Sequence, residues 1–171
     1  MNKISIITAT YNSESTIKAL IKSLESQSDQ NFDWFIADNC STDQTIKIIN
    51  NVNKFNVNII SEQDKGIYDA LNKAIKRSKN KFYLVVGSDD YLSSDCVENF
   101  RKSINENVDL IFSAWKVGNK ISYPKKKLGV IYGMLGVGSC HSVATLIKKS
   151  LHEKWGYYDL QFKVCADQYF I

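Results

Sequence analysis

The turn Gly87-Ser88-Asp89-Asp90 carries two adjacent carboxylates, the hard oxygen donors that a divalent cation prefers. Three other loops gather acceptors and hydroxyls: Thr10-Tyr11-Asn12, Asp38-Asn39-Cys40-Ser41-Thr42-Asp43 and Ser61-Glu62-Gln63-Asp64-Lys65. Each of the four follows a short apolar run, at residues 4–9, 34–37, 57–60 and 82–86, of the length and composition expected of strands. In an open α/β sheet, ligands bind outside the carboxyl ends of the strands, so these loops should meet along one edge. The plainer alternative for Asp89 and Asp90 is a turn or helix cap, a common use of aspartate.

The elements that must position these loops follow from periodicity. Residues 3–9 read as a buried first strand, and Asn12 or Ser13 can cap a helix with Ile17, Leu20, Ile21 and Leu24 on one face. A second strand at 33–38 leads to Ser41-Thr42-Asp43, which can cap a weaker helix carrying Ile46, Ile49 and Val52. Ile48 lies off that stripe, and Asn50, Asn51 and Asn53 are poor helix formers. After the third strand, Gly66 opens a helix whose core stripe is Ile67, Leu71, Ala74 and Ile75. The run at 82–86 is nearly all apolar, as in a strand covered on both faces. Ser94 or Asp95 caps a helix through Ile104, and residues 108–114 form a fifth strand. This alternation predicts an open, mostly parallel, doubly wound α/β sheet with helices on both faces.

Beyond Trp115 the character changes. A hairpin is expected at 116–123, then a loop with Pro124 and Lys125-Lys126-Lys127, a glycine-punctuated stretch at 130–138, a strand at 142–147 and a short helix at 149–155. Residues 163–171 open a helix with no stop signal, so the C-terminal part is expected to be incomplete. The 171 residues read as one domain, with residues 1–114 as its ligand-binding half and 115–171 as the second half.

A chain that is 44% hydrophobic and 23% charged has ordinary globular composition. Its formal charge of +4 suits an anionic ligand but is too weak to argue for nucleic acid. Cys40, Cys96, Cys140 and Cys165 show no metal-ligand spacing, and free thiols point to a reducing cytoplasm. The first apolar run is too short for a signal peptide. No apolar run approaches the roughly 20 residues of a membrane-spanning helix; any membrane contact is expected at the surface.

Four segments together carry a resemblance: Ile-Ile-Thr-Ala-Thr-Tyr-Asn near the start, Ala-Asp-Asn-Cys-Ser-Thr-Asp at 37–43, Asp-Lys-Gly-Ile-Tyr-Asp-Ala-Leu-Asn-Lys-Ala at 64–74, and Gly-Ser-Asp-Asp. The set resembles the family 2 glycosyltransferases with the A-type fold, bacterial enzymes that build polysaccharides and lipid-linked glycans. The resemblance implies a nucleotide-diphospho-sugar donor, typically UDP-linked, a glycan or lipid-linked glycan acceptor, and Mn²⁺ or Mg²⁺ as cofactor. It implies that Thr8, Thr10 and Tyr11 lie along the base and that Asp38 accepts a hydrogen bond from the base edge, with Ser41 and Asp43 supporting that loop. Lys65, Gly66 and Asn72 would sit near base, ribose or phosphates, and Ser88 and Asp90 would flank the donor. Asp89 matches the last carboxylate of the family's D-x-D metal motif, Asp167 the catalytic base, and His141 a position near the phosphates or acceptor. Family habit also implies work at the cytoplasmic face of the inner membrane and leaves a homo-oligomer open. Two departures stand out: Gly87 replaces the first aspartate of D-x-D, and the chain ends just after the presumed base.

Each assignment has a plainer competitor. Asp167 could cap a helix, Asp159 is expected to shape a turn, and His152 to be solvated on a surface helix. The lysine run is most simply an exposed loop. A donor-binding module without transfer activity is the second functional reading. A sugar-nucleotide-forming nucleotidyltransferase is disfavoured because no glycine-rich, arginine-containing loop follows the first strand. A receiver-type signalling domain needs an acidic pair where Thr10-Tyr11-Asn12 stands.

Overall fold

The computed structural model describes residues 3–124, 142–163 and 166–170. The expectations for Lys125–Lys127, residues 130–138 and His141 lie outside the described residues.

A six-stranded sheet in the order β3-β2-β1-β4-β8-β5 organises the chain. β1 (Ile4–Thr10), β2 (Phe32–Asp38), β3 (Asn56–Ser61) and β4 (Phe82–Val85) are mutually parallel. β5 (Leu110–Phe112) is reached only through β8 (Thr145–Lys148), which runs antiparallel to both β4 and β5. β6 (Trp115–Val117) and β7 (Lys120–Ser122) form a separate hairpin turned at Gly118. The sheet is therefore open and mostly parallel as expected, with one late antiparallel strand inserted beside β4.

Alternation along the strands sends side chains to two cores. Ile4, Ile6, Trp34, Ile36, Phe82 and Leu84 face one cluster, closed by α1 (Ile17–Glu25), α2 (Thr45–Asn50) and α4 (Cys96–Ser103). Ile7, Phe35, Ala37, Tyr83 and Val85 face the other, closed by Leu71, Ala74 and Ile75 of α3 (Ile67–Arg77). The second cluster is completed by Tyr158 and by Ala166 of α6 (Ala166–Phe170), which follows α5 (Leu151–Trp155). Among the described residues, no helix is long and apolar enough to cross a membrane.

Several boundaries differ from expectation for local reasons. α1 begins at Ile17 because Asn12 adopts a positive φ of 47° and the Ser13 carbonyl, not its side chain, accepts the Thr16 and Ile17 N–H groups. β5 shortens to three residues, and Ser142–Ala144 form a 3₁₀ turn before β8. Ile67 is more than half exposed, so the core stripe of α3 is Ala70, Leu71, Ala74 and Ile75. His152 is the largest correction: it is buried, not solvated.

Candidate active site

Thr10, Asp38 and Ser61 stand in one row at the carboxyl ends of β1, β2 and β3, set by the parallel register Thr10–Asp38 and Asp38–Ser61. Asp38 is buried, and its Oδ2 accepts the Ser41 N–H at 2.9 Å and the Ser61 hydroxyl at 2.7 Å. The Ser41 hydroxyl donates to Oδ1. Three of roughly four lone-pair positions of this carboxylate are thus filled, leaving one for a ligand. Beside it, Thr10 Oγ1 is buried without a hydrogen-bond partner. A buried hydroxyl left unsatisfied costs about 1–3 kcal/mol, so Thr10 is suited to a ligand that arrives at this edge.

The four loops are laced together by short polar side chains. Asn12 Oδ1 accepts the Thr42 N–H at 2.9 Å while the Asn12 N–H donates to Ser41 Oγ at 2.9 Å. Asp43 accepts the Thr45 and Glu14 N–H groups at 2.9 and 3.1 Å, and Glu14 accepts the Gln44 N–H at 2.8 Å. Desolvation works against the Asp43 carboxylate, but these hydrogen bonds outweigh it and hold its pKa below the usual carboxylate value. Ser13 donates its N–H to Thr45 Oγ1 at 2.7 Å and its hydroxyl to Ser88 at 3.1 Å, joining the first loop to the Asp89 turn. Asn39 Oδ1 accepts the Asp64 N–H at 2.9 Å, which adds the third loop. Asn12, Asn39 and Ser61 lie in the acceptor-rich loops marked by the strand ends, but the family resemblance gives them and Ser13 no ligand role; here they tie the loops together.

Gly66 has a φ of 119°, which a side chain would strain, and its N–H donates to Asp64 Oδ1 at 2.8 Å. Asp69 accepts the Lys65 N–H at 3.0 Å and pairs with Lys73 at 3.3 Å. This fixes the backbone of Lys65 at the start of α3. Tyr11 and Tyr91 are both well exposed, at 58% and 68%, and offer flat rings at the same edge.

In the Asp89 turn, the Gly87 N–H donates to Asp90 Oδ2 at 3.0 Å and the Asp90 N–H to the Gly87 carbonyl at 3.1 Å. A Cβ on Gly87 would lie 2.8 Å from Asp89 Oδ1 and 2.7 Å from Asp90 Oδ2. Both carboxylates therefore fold over the glycine, and a side chain there would make them shift. Among the described residues no cluster of three His, Cys, Asp or Glu side chains could cage a metal by itself. Asp89 is exposed, with Asp90 beside it. One or two carboxylates suffice for Mg²⁺-type binding when phosphates and waters complete the shell, so the residues fit a cation that arrives with a diphosphate. A cleft of about 430 Å³ runs from Asp89 past Tyr91 and Phe100 to Trp115 and Val143.

Asp167, in the first turn of α6, accepts the Tyr68 hydroxyl at 2.9 Å. Tyr68 lies in the first turn of α3, so the bond draws Asp167 to the loop edge. Burial, then the neighbouring Asp167 carboxylate, pushes the Tyr68 phenol up to about 12. Behind it, His152 Nε2 meets the Tyr83 hydroxyl at 2.7 Å, and that hydroxyl meets Tyr158 Oη at 3.0 Å. The His152 ring is stacked against Tyr157 at 4.8 Å and Phe170 at 4.2 Å. Burial lowers its pKa, partly offset by a hydrogen bond with the Gly156 carbonyl, with the nearby Lys149 charge lowering it further. Asp159 shapes a turn, as expected, accepting the Gln161 N–H at 2.9 Å.

Two expected ligand residues are turned inward. Thr8 is fully buried and its Oγ1 accepts the Trp34 indole N–H at 3.0 Å, because strand alternation points it into the first core. Both ends of the Asn72 amide bond the Tyr158 backbone, donating at 2.8 Å and accepting at 3.0 Å. Asn72 is therefore a clasp between α3 and the segment before α6. Thr10, Tyr11, Asp38, Ser41, Asp43, Lys65, Gly66, Ser88, Asp89 and Asp90 all belong to the loop edge.

The family model described as "Glycosyl transferase family 2" matches residues 5–165. The chain belongs to glycosyl transferase family 2. Among curated relatives, this family 2 chain is 35% identical over 112 residues to the poly(ribitol-phosphate) beta-N-acetylglucosaminyltransferase TarS of Staphylococcus aureus, covering 63% of the chain and 20% of TarS. It is 36% identical over 100 residues to WfaP of Escherichia coli, a UDP-Glc:alpha-D-GlcNAc-diphosphoundecaprenol beta-1,3-glucosyltransferase, covering 58% of the chain and 40% of WfaP. The crystal structure of S. aureus TarS 1–349 in complex with UDP superposes with a TM-score of 0.81 at 28% identity over 98% of the family 2 chain and 53% of TarS 1–349. A mannosyltransferase of Pyrobaculum calidifontis in complex with GDP-Man and Mn²⁺ shares the fold, with a TM-score of 0.76 at 16% identity. The chain spans between a fifth and two fifths of the length of these two curated relatives and about half of the solved TarS domain.

Proposed function

We propose that this chain transfers a sugar from a UDP-linked donor to a hydroxyl of a bacterial cell-surface or lipid-linked glycan, with inversion at the anomeric carbon. The observation that carries this reading is the laced loop edge around Asp38 and Asp89, in a chain that superposes on a UDP-bound member of its family over nearly its whole length. In this reading Thr10, Asp38 and Ser41 face the base, and Tyr11 presents its ring to it. Lys65, with the backbone around Gly66, approaches the ribose or phosphates. Ser88, Asp89 and Asp90 face the diphosphate.

Asp89, with Asp90 beside it, would hold Mn²⁺ or Mg²⁺. When bound, such a cation neutralises the charge that develops on the departing diphosphate. The pre-formed loop network orients the donor at little further entropic cost, which is how positioning lowers a barrier. Asp167 accepts the proton of the attacking acceptor hydroxyl. One base acting opposite the leaving group gives a single in-line displacement, hence inversion.

Asp167→Asn should lower transfer by about 10²–10⁴-fold, the range for losing a general base, and leave UDP binding unchanged. NMR of the glycoside formed should show the inverted anomer. A product that retains the donor's configuration, or an Asp167→Asn variant at full rate, contradicts the assignment. The second reading is a donor-binding module without transfer activity of its own. It predicts UDP binding without transfer or donor hydrolysis.

A further inference from the structure

Asp167 lies in the first turn of α6, Ala166–Phe170, whose neighbouring residues are held by the second core. Ala166 is buried in the second core. Phe170 stacks on His152 at 4.2 Å and meets the Tyr158 ring edge-on at 5.4 Å. These apolar contacts fix the back of the helix, one residue before Asp167 and three after it. They leave the carboxylate free to rotate about its own side-chain bonds.

One polar contact fixes the carboxylate itself. The Tyr68 hydroxyl donates to Asp167 Oδ1 at 2.9 Å, across 99 residues of sequence. Among the described residues, no other side-chain hydrogen bond reaches Asp167. Tyr68 is in turn held at both ends of its ring. Its backbone lies in the first turn of α3, behind the Gly66 bend, and its ring packs on Tyr158 at 5.5 Å. Tyr158 is anchored by the Asn72 clasp and by the Tyr83 hydroxyl.

We propose that Tyr68 is a positioning residue for the reaction: its hydroxyl grips Asp167 Oδ1 and leaves Oδ2 facing the acceptor as the proton-accepting atom. This rests on the reading of Asp167 as the base. The chemistry is consistent. With its phenol pushed up to about 12 by burial and the nearby carboxylate, Tyr68 stays protonated at any working pH and remains a donor. It takes no proton from the reaction; its part is to hold the base. Its hydrogen bond stabilises one rotamer of Asp167 instead of several, and a carboxylate that must find a hydroxyl proton within about 3 Å benefits directly.

The test compares Tyr68→Phe, Asp167→Asn and the double variant in the full chain, using UDP-GlcNAc as donor and release of UDP as the readout. Tyr68→Phe keeps the ring on Tyr158, so melting temperature and UDP affinity should match the parent. Its kcat should fall roughly tenfold or more, the scale for losing a supporting hydrogen bond behind a reactive group, with donor KM within about twofold. On the Asp167→Asn background the same change should have no further effect, since the two act as one unit.

If Asp167→Asn is inactive and Tyr68→Phe turns over at the parental rate, the Tyr68 proposal is overturned and the base reading stands. If Asp167→Asn is fully active, both fall. If UDP affinity falls together with kcat in Tyr68→Phe, the residue shapes the donor site and positioning is overturned. A measurement independent of turnover uses fluorine NMR of protein labelled with fluorotyrosine. The Tyr68 resonance, identified by its absence in Tyr68→Phe, should move in Asp167→Asn. A resonance that stays in place overturns the contact.

Discussion

At the scale of single residues, the site is built from side chains that do two things at once. Asp38 closes its own loop through Ser41 and Ser61 and still has an acceptor position to spare. Thr10 lends a buried, unpartnered hydroxyl at the end of β1. Gly87 is the residue whose role the sequence pattern obscured. Motif reasoning marks it as a lost aspartate; the geometry makes it the floor on which Asp89 and Asp90 rest. Any side chain there must displace them. Gly87→Ala should therefore weaken the Mn²⁺-dependent part of UDP binding by roughly tenfold, as other supporting-residue losses at metal sites do, while metal-independent binding is unchanged. Calorimetric titrations with and without Mn²⁺ measure both. An alanine variant with parental Mn²⁺ dependence would show that the turn tolerates the extra carbon.

At the scale of elements, the parallel half of the fold was legible because its signals are local. Four β-rich runs, each followed by polar loop residues and an amphipathic stripe, place β1 to β4 and α1 to α4 almost at their observed bounds. That the four loops line one edge was legible too, since each follows a strand of the same parallel set. What escaped is non-local. Thr8 looks like a site residue by position, but strand alternation turns it toward Trp34. Asn72 looks like a ligand contact, but its partner is the backbone of a residue 86 positions later. His152 occupies a five-residue helix with a polar surface pattern, and only the packing of Tyr83, Tyr157 and Phe170 buries it. The Asn72 clasp yields a stability prediction. Asn72→Ala strands the Tyr158 N–H and C=O in a buried setting, at about 1–3 kcal/mol for each unsatisfied group. Even the low end for the pair, about 2 kcal/mol, lowers the melting temperature by roughly 4–8 °C in a chain of this size. A scan showing no shift would mean that water or a rearranged backbone replaces the clasp.

At the scale of the whole molecule, two cores divide the labour. The first, under α1, α2 and α4, supports the loops that follow β1, β2 and β4. The second joins α3 to α5 and α6, and through them ties Asp167 to the same edge from which Asp38 and Asp89 project. The insertion of antiparallel β8 beside β4 is what brings the late segment back across the sheet. Periodicity alone could not order that strand, because its pairing partners lie far away in the chain. As proposed, this edge is a donor site completed by a divalent cation at Asp89. Calorimetric titration of the chain with UDP in the presence and absence of Mn²⁺, repeated on Asp89→Ala, reads this out. Binding should strengthen at least tenfold with Mn²⁺ in the parent and lose that gain in the variant. UDP binding indifferent to both Mn²⁺ and Asp89, or no binding at all, would contradict it.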